Sequence, residues 1–251
     1  MTAGNITYTV DNHVATVFFE TESHNSLTLE NLKTLADYFN KASEDKSVKI
    51  VLLKSGGKTF CAGANFNQLL SIENFEAGKS FFMGFGNLIL AIKKCDKIVV
   101  GRIHGKAIGG GVGLAAACDF TVASEFATIR LSELNIGLGP LVIGPMVERK
   151  LGLSGLSALS LNPKEWKTAY WAQQKGLFNE VFQTQIQADA YLATYLESMK
   201  NTSLQAMTIV KKMLWENTEN WDELLESRAE QSAKLLLTRE CKSEIAKFLG
   251  T

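Results

Sequence analysis

A chain of 251 residues, 46% apolar and 21% charged, has enough material for one large domain and the balance of an ordinary globular protein. Its 26 basic and 26 acidic residues cancel, so no net field draws it to nucleic acid or to an anionic membrane surface. Four scattered cysteines, at 61, 95, 118 and 241, form no C-x-x-C pair, which argues against a metal site and against a disulfide framework.

Residues 1–11 lack the basic-then-apolar pattern of a secretory leader, and no apolar run is long enough to span a bilayer. The expected compartment is the cytoplasm. Ile6–Val10 and Val14–Phe19, rich in β-branched and aromatic residues, read as a hairpin turning at Asp11-Asn12. Residues 20–26 read as a loop. From Thr28, a plausible N-cap, Leu29, Leu32, Leu35, Ala36 and Phe39 recur at helical spacing. Val48–Leu53 reads as a strand, and residues 55–66 as a loop of small side chains. A helical region over 73–94 is interrupted by Gly78, Gly84 and Gly86.

Ile98–Ile103 is a further apolar strand, leading into Gly109-Gly110-Gly111 and the small, helix-favouring Leu114–Ala117. Short strands follow at 120–123 and 128–131. Strands alternating with helices indicate an α/β domain with parallel pairing. Beyond Leu151 the pattern is helical, over 168–175, 187–199, 203–215 and 222–249. A soft boundary near residue 190 divides an α/β core, 1–190, from a helical C-terminal region, 191–251.

Several chemistries compete for the glycine loops. Gly57-Lys58-Thr59 fails as a phosphate loop because the glycine required five positions earlier is Leu52. Gly111-Val112-Gly113-Leu114-Ala115-Ala116 fits a dinucleotide fingerprint, with Glu133 twenty residues past Gly113. Against an NAD-binding oxidoreductase, residues 104–109 separate that fingerprint from its strand. Nucleophilic catalysis by Cys61 would need His24 or His104 as base, since His13 falls in the first hairpin; Cys61 and Cys118 read more simply as small buried residues. Finally, Ala62-Gly63-Ala64 and Gly109-Gly110-Gly111 each follow a strand. If those strands are parallel neighbours, N–H groups from both loops can point at one oxygen, the arrangement that stabilises a thioester enolate. Both loops are equally readable as tight turns.

Phe60-Cys61-Ala62-Gly63-Ala64-Asn65-Phe66, His104–Gly111, Cys118-Asp119, Leu131–Leu138, Pro140, and Ala172 through Gly176-Leu177-Phe178 together resemble the crotonase (enoyl-CoA hydratase/isomerase) superfamily, in order and over essentially the whole chain. Glu244–Leu249 resembles that family's C-terminal helix. The resemblance implies a spiral of ββα units carrying two roughly perpendicular sheets. The helical C-terminal region would serve trimerisation and cover the active site, in a homotrimer or homohexamer. The implied ligand is an acyl-CoA thioester, with coenzyme A as part of the substrate and no permanently bound cofactor or metal.

By position, the oxyanion donors fall on the N–H groups of Ala64 and Gly110, and Ala62, Asn65, Gly109, Gly113 and Pro140 fall at the CoA and substrate site. Of the two glutamates of family hydratases, one falls on Glu133 and the other on Gly113. One carboxylate suffices to move a proton between carbons of an enolate, or for substrate-assisted hydration. Asn65 replaces an acidic residue, and Asn67 a lysine used near the CoA phosphates, for which Lys58 and Lys106 can substitute in part, although an exposed lysine needs no such role. Leu141-Val142-Ile143 replaces glycines after the proline, favouring a short or branched acyl chain. The implied reactions are hydration of a 2-enoyl-CoA, including a branched one such as methylglutaconyl-CoA, or Δ3-Δ2-enoyl-CoA isomerisation. Acyl-CoA decarboxylation, thioester hydrolysis and silent binding of a CoA ester remain open alternatives.

Overall fold

The computed structural model describes residues 4–250, so the first three residues of the segment 1–11 lie outside it. Six strands form the large sheet, in spatial order Asn5–Asp11, Val14–Glu20, Ile50–Ser55, Ile98–Ile103, Phe120–Ser124, Glu180–Phe182. All neighbours pair in parallel except the first two. A three-stranded parallel sheet joins Ile129–Arg130, Lys106–Ile108 and Thr59–Cys61. Ser26–Leu27 pairs with Gly63–Ala64.

Chain order makes the repeat visible. Each of four large-sheet strands is followed by a short strand and then by helix: Leu29–Glu44 in the first turn, Phe66–Ser71 and Phe75–Lys94 in the second, Gly110–Ala117 in the third, Gly144–Ser160 in the fourth. The expected α/β organisation of ββα units followed by helices is the one observed.

The central strands are continuously apolar because both of their faces are covered. Val51, Leu53 and Val99 point into the main core, while Ile50, Leu52, Ile98, Val100 and Val122 meet Ala188, Leu192 and Met207 on the other face. Residue 190 lies within the helix Gln185–Lys200, whose Tyr195 ring stacks on Phe120 at 4.4 Å.

Local chemistry explains the differences from expectation. The hairpin turns at Asn12-His13, one residue late, with φ of 44° and 66°; a two-residue turn matching strand twist requires positive φ at both centres. Thr28 caps Leu29–Glu44 in a reciprocal box with Asn31. Phe75–Lys94 runs unbroken through its three glycines. At Gly84 a methyl would fall 2.9 Å from Leu29 and 3.0 Å from Leu32, so the missing side chain is what lets two helices approach. The long C-terminal helix expected over 222–249 is two helices, Trp221–Leu236 and Arg239–Leu249. Thr238 opens the second by accepting from Cys241 N–H.

Candidate active site

The glycine run after Ile98–Ile103 is where the strand register matters most. Lys106–Ile108 lies beside Thr59–Cys61, so the loops leaving both strands emerge together. Gly63, at φ 83°, holds them close: a methyl there would fall 2.8 Å from Ile108 O and 3.0 Å from Gly110 N. Asn65 N–H donates to Leu27 O, and alternation along extended backbone turns the preceding Ala64 N–H the other way. Gly110 is the first residue of the helix Gly110–Ala117, where an N–H has no intrahelical acceptor and the helix dipole is positive. Ala64 and Gly110 both line a cavity of about 600 Å³.

Glu133 opens the short 3-10 turn Glu133–Ile136 in the wall of that cavity. Its carboxylate packs on Gly109, where a methyl would fall 2.8 Å from Oε1. Gly109 holds φ 52° and ψ −119°, a conformation glycine tolerates. Oε2 is buried with no hydrogen-bond partner. Burial pushes the Glu133 carboxyl up to about 7, against a smaller downward pull from the amides of Ser132 and Glu133 itself. A carboxyl so placed exchanges protons readily near neutrality.

Ala62, Asn65 and Pro140 also line the cavity. The Asn65 side chain serves the fold, accepting from Gln68 N–H to cap the next helix and donating to Ser26 Oγ. Gly113, expected at the site, is instead packed under Ile143: a methyl on Gly113 would fall 2.5 Å from Ile143 Cγ2 and 2.6 Å from its Cβ. Ile143 lines the cavity in its place, together with Leu141 and Val142. Two departures read separately in the sequence are therefore one exchange, an apolar wall where a second carboxylate would stand.

The competing chemistries lose their geometry. Cys61 and Cys118 are fully enclosed, and burial pushes each thiol up to about 12, far from a usable thiolate. His104 spends Nε2 on Gly57 O, His13 lies against Ser47 O, and neither lines the cavity. Gly111 abuts Cys61 O, where a methyl would fall 2.2 Å away, so the dinucleotide match lies against protein backbone and leaves no room for a pyrophosphate.

Of the wall residues that follow, only His24 stands out in the sequence, as a possible base for Cys61. Ser23 and His24 line the entrance in a left-handed turn, with φ of 54° and 62°. The turn is held by buried Asn25, which donates to Gly56 O and Thr59 O and accepts from Thr21 N–H. Phe82, Phe85, Arg130, Trp166 and Phe248 complete the wall from distant parts of the chain.

The sequence matches the enoyl-CoA hydratase/isomerase family over residues 9–249. It is 28% identical over 225 residues to a peroxisomal Delta(3,5)-Delta(2,4)-dienoyl-CoA isomerase of Arabidopsis thaliana, covering 83% of this chain and 80% of that one. It is 35% identical to an enoyl-CoA hydratase of Alternaria alternata over 133 residues, 53% of this chain and 43% of that protein. In structure it resembles an enoyl-CoA hydratase from Bacillus halodurans, at a TM-score of 0.89 and 22% identity over 96% of this chain and 99% of the other. A match running through both glycine loops, Glu133 and the last helix places the chain in one family: it belongs to the enoyl-CoA hydratase/isomerase family of enzymes.

Proposed function

We propose that the protein shifts the double bond of an acyl-CoA thioester, converting a 3-enoyl into a 2-enoyl chain, with Glu133 as the single proton carrier. The observation that carries this reading is Ile143, whose methyl groups fill the space before Gly113. Hydration asks a second polar group to hold and orient water, and that side of the cavity offers hydrocarbon. Isomerisation asks only for one carboxylate that takes a proton and gives it back.

The Glu133 carboxylate removes a proton from C2. The C–H electron pair enters a dienolate, whose charge rests on the thioester oxygen between the N–H groups of Ala64 and Gly110. The carboxylic acid so formed returns the proton at C4, leaving the double bond between C2 and C3 and Glu133 ionised again. The raised carboxyl pKa suits both halves of this exchange. Leu141, Val142 and Ile143 narrow the acyl end and favour a short or branched chain. Coenzyme A enters as part of the substrate, beneath a cover that includes Phe248 and Leu249 of the last helix. Family assembly as a trimer or hexamer belongs to the same proposal.

Assaying a 3-enoyl-CoA for isomerisation beside a 2-enoyl-CoA for hydration tests this directly. Isomerisation is expected to exceed hydration by about a hundredfold, the low end of what one acid/base group contributes. Gly113→Glu alone is expected to fold poorly for want of space. Gly113→Glu with Ile143→Gly is expected to fold and to gain hydration. A wild-type protein that hydrates as fast as it isomerises would refute the single-carrier reading.

A further inference from the structure

Two cations in the cavity wall have no acid to neutralise them among the described residues. Arg130 and Lys106 both line the cavity. Arg130 pairs with Ile108 across adjacent strands, which puts Lys106, two residues back, on the same face of the small sheet. The Trp166 ring serves both: the Arg130 guanidinium carbon lies 4.4 Å from its centroid and Lys106 Nζ lies 5.0 Å away. Trp166 is fixed in turn by its neighbour Lys167, which exchanges two 2.9 Å backbone hydrogen bonds with Ile129.

Glu165, beside Trp166, is paired with Lys167 at 2.8 Å, and Glu133, three residues past Arg130, packs on Gly109 and forms no ion pair with either cation. Arg130 Nε is buried with no hydrogen-bond partner. A guanidinium N–H left bare in a largely apolar wall is costly, and it presents a planar fork matched to paired anionic oxygens. Its place is equally specific. Arg130 O accepts from Gly109 N–H at 2.9 Å, and Gly109 is the residue against which the Glu133 carboxylate packs. The cation pair therefore shares a wall with the reacting centre, within reach of a second group on the same bound molecule.

We infer that Arg130, Lys106 and Trp166 form a receptor for a carboxylate carried by the acyl chain of the substrate, distinct from the phosphates of coenzyme A. The inference rests on the acyl-CoA reading above and specifies the substrate class. A carboxylate ending a short acyl chain and the phosphates of coenzyme A offer the same oxygens, and a binding experiment separates them.

Saturated thioesters cannot be isomerised, so calorimetric titration of the intact protein measures affinity alone. Glutaryl-CoA against butyryl-CoA reports the value of an acyl carboxylate; butyryl-CoA against butyryl-pantetheine reports the value of the nucleotide phosphates. The first ratio is expected to be about tenfold or more, the size of one charge-assisted contact, and to collapse in Arg130→Gln. Arg130→Lys should keep part of it. Lys106→Gln alters an exposed side chain and should reduce the same ratio without disturbing the fold. Collapse of the first ratio places the receptor on the acyl chain; collapse of the second alone assigns these residues to the coenzyme A phosphates and overturns the inference. If both ratios survive in Arg130→Gln and Lys106→Gln while butyryl-CoA still binds, the receptor is overturned and the acyl-CoA reading stands. If the unaltered protein binds none of the three thioesters, both fall.

Discussion

Replacing Glu133 by Gln is expected to slow isomerisation of a 3-enoyl-CoA by a factor on the order of a hundred to ten thousand and, at neutral pH, to make the protein more stable. The two effects have one cause. The folded protein holds the Glu133 carboxyl near 7, against an ordinary value of 4.5, chiefly because burial penalises the anion. Below the ordinary value both folded and unfolded chains carry the proton, and nothing is lost. As pH rises towards 7 the unfolded chain releases its proton first, so ionisation favours unfolding and stability falls; above 7 the loss is complete.

Gln carries no charge and escapes this penalty. Its advantage should be absent at pH 4 and should reach roughly 2–3 kcal/mol by pH 8. Denaturant titrations at the two pH values check the difference, and kcat/KM of the unaltered enzyme should rise with pH through about 7. Normal turnover in Glu133→Gln, or a stability gain indifferent to pH, would remove Glu133 from its role.

Asp119→Ala is expected to cost about 3–5 kcal/mol, the usual penalty for leaving half of a buried ion pair alone. Asp119 Oδ2 lies 3.0 Å from Lys211 Nζ, with both side chains almost wholly enclosed. The same carboxylate accepts from Val99 N–H at 2.8 Å and from Trp215 Nε1 at 2.7 Å. Lys211 also donates to Ile92 O and Lys97 O, each at 2.8 Å. Removing the acid strands a cation and two N–H donors in the core. Lys211→Met should cost a similar amount by stranding the anion. Joining Asp119→Leu to Lys211→Met should recover much of the loss, because the pair's own desolvation cost disappears with it. Urea unfolding midpoints distinguish these cases, and additive losses in the double variant would contradict the coupling. Asp119 follows the helix Gly110–Ala117 by two residues, so the pair also anchors the far end of the helix that begins at the cavity with Gly110.

What the sequence disclosed was mostly what repeats locally. Ile50–Leu53 and Ile98–Val100 are apolar without a break because two cores claim alternate residues, and such runs are readable without a structure. Thr28 could be named as a cap because capping depends on a few neighbours. Gly144–Ser160 escaped notice since Gly152 and Gly155 interrupt its pattern, and Gly152 indeed breaks the helical geometry at φ 69°. Gly78, Gly84 and Gly86 had the opposite effect, suggesting interruptions where the helix continues.

The site divided in the same manner. Its glycine loops and Glu133 stood in recognisable stretches. The pairing of Gly113 with Ile143, and the meeting of Lys106 and Arg130 on Trp166, join positions far apart in the chain. No local pattern encodes such contacts. They come from the order in which strands are laid beside one another.

The last helix, Arg239–Leu249, reaches both functional loops. Lys242 Nζ donates to the carbonyls of Leu69 and Leu70 at the end of the helix after Ala64, and Phe248 meets Phe66 at 4.9 Å between ring centroids. Cys241 lies against Gly137, at the end of the Glu133 turn, where a methyl would fall 3.5 Å from its Cα. One helix thus spans the segment after Ala64 and the turn that Glu133 opens. Opening either loop would break contacts with this shared helix, so local unfolding of the two is expected to be coupled and their amide protons to exchange together.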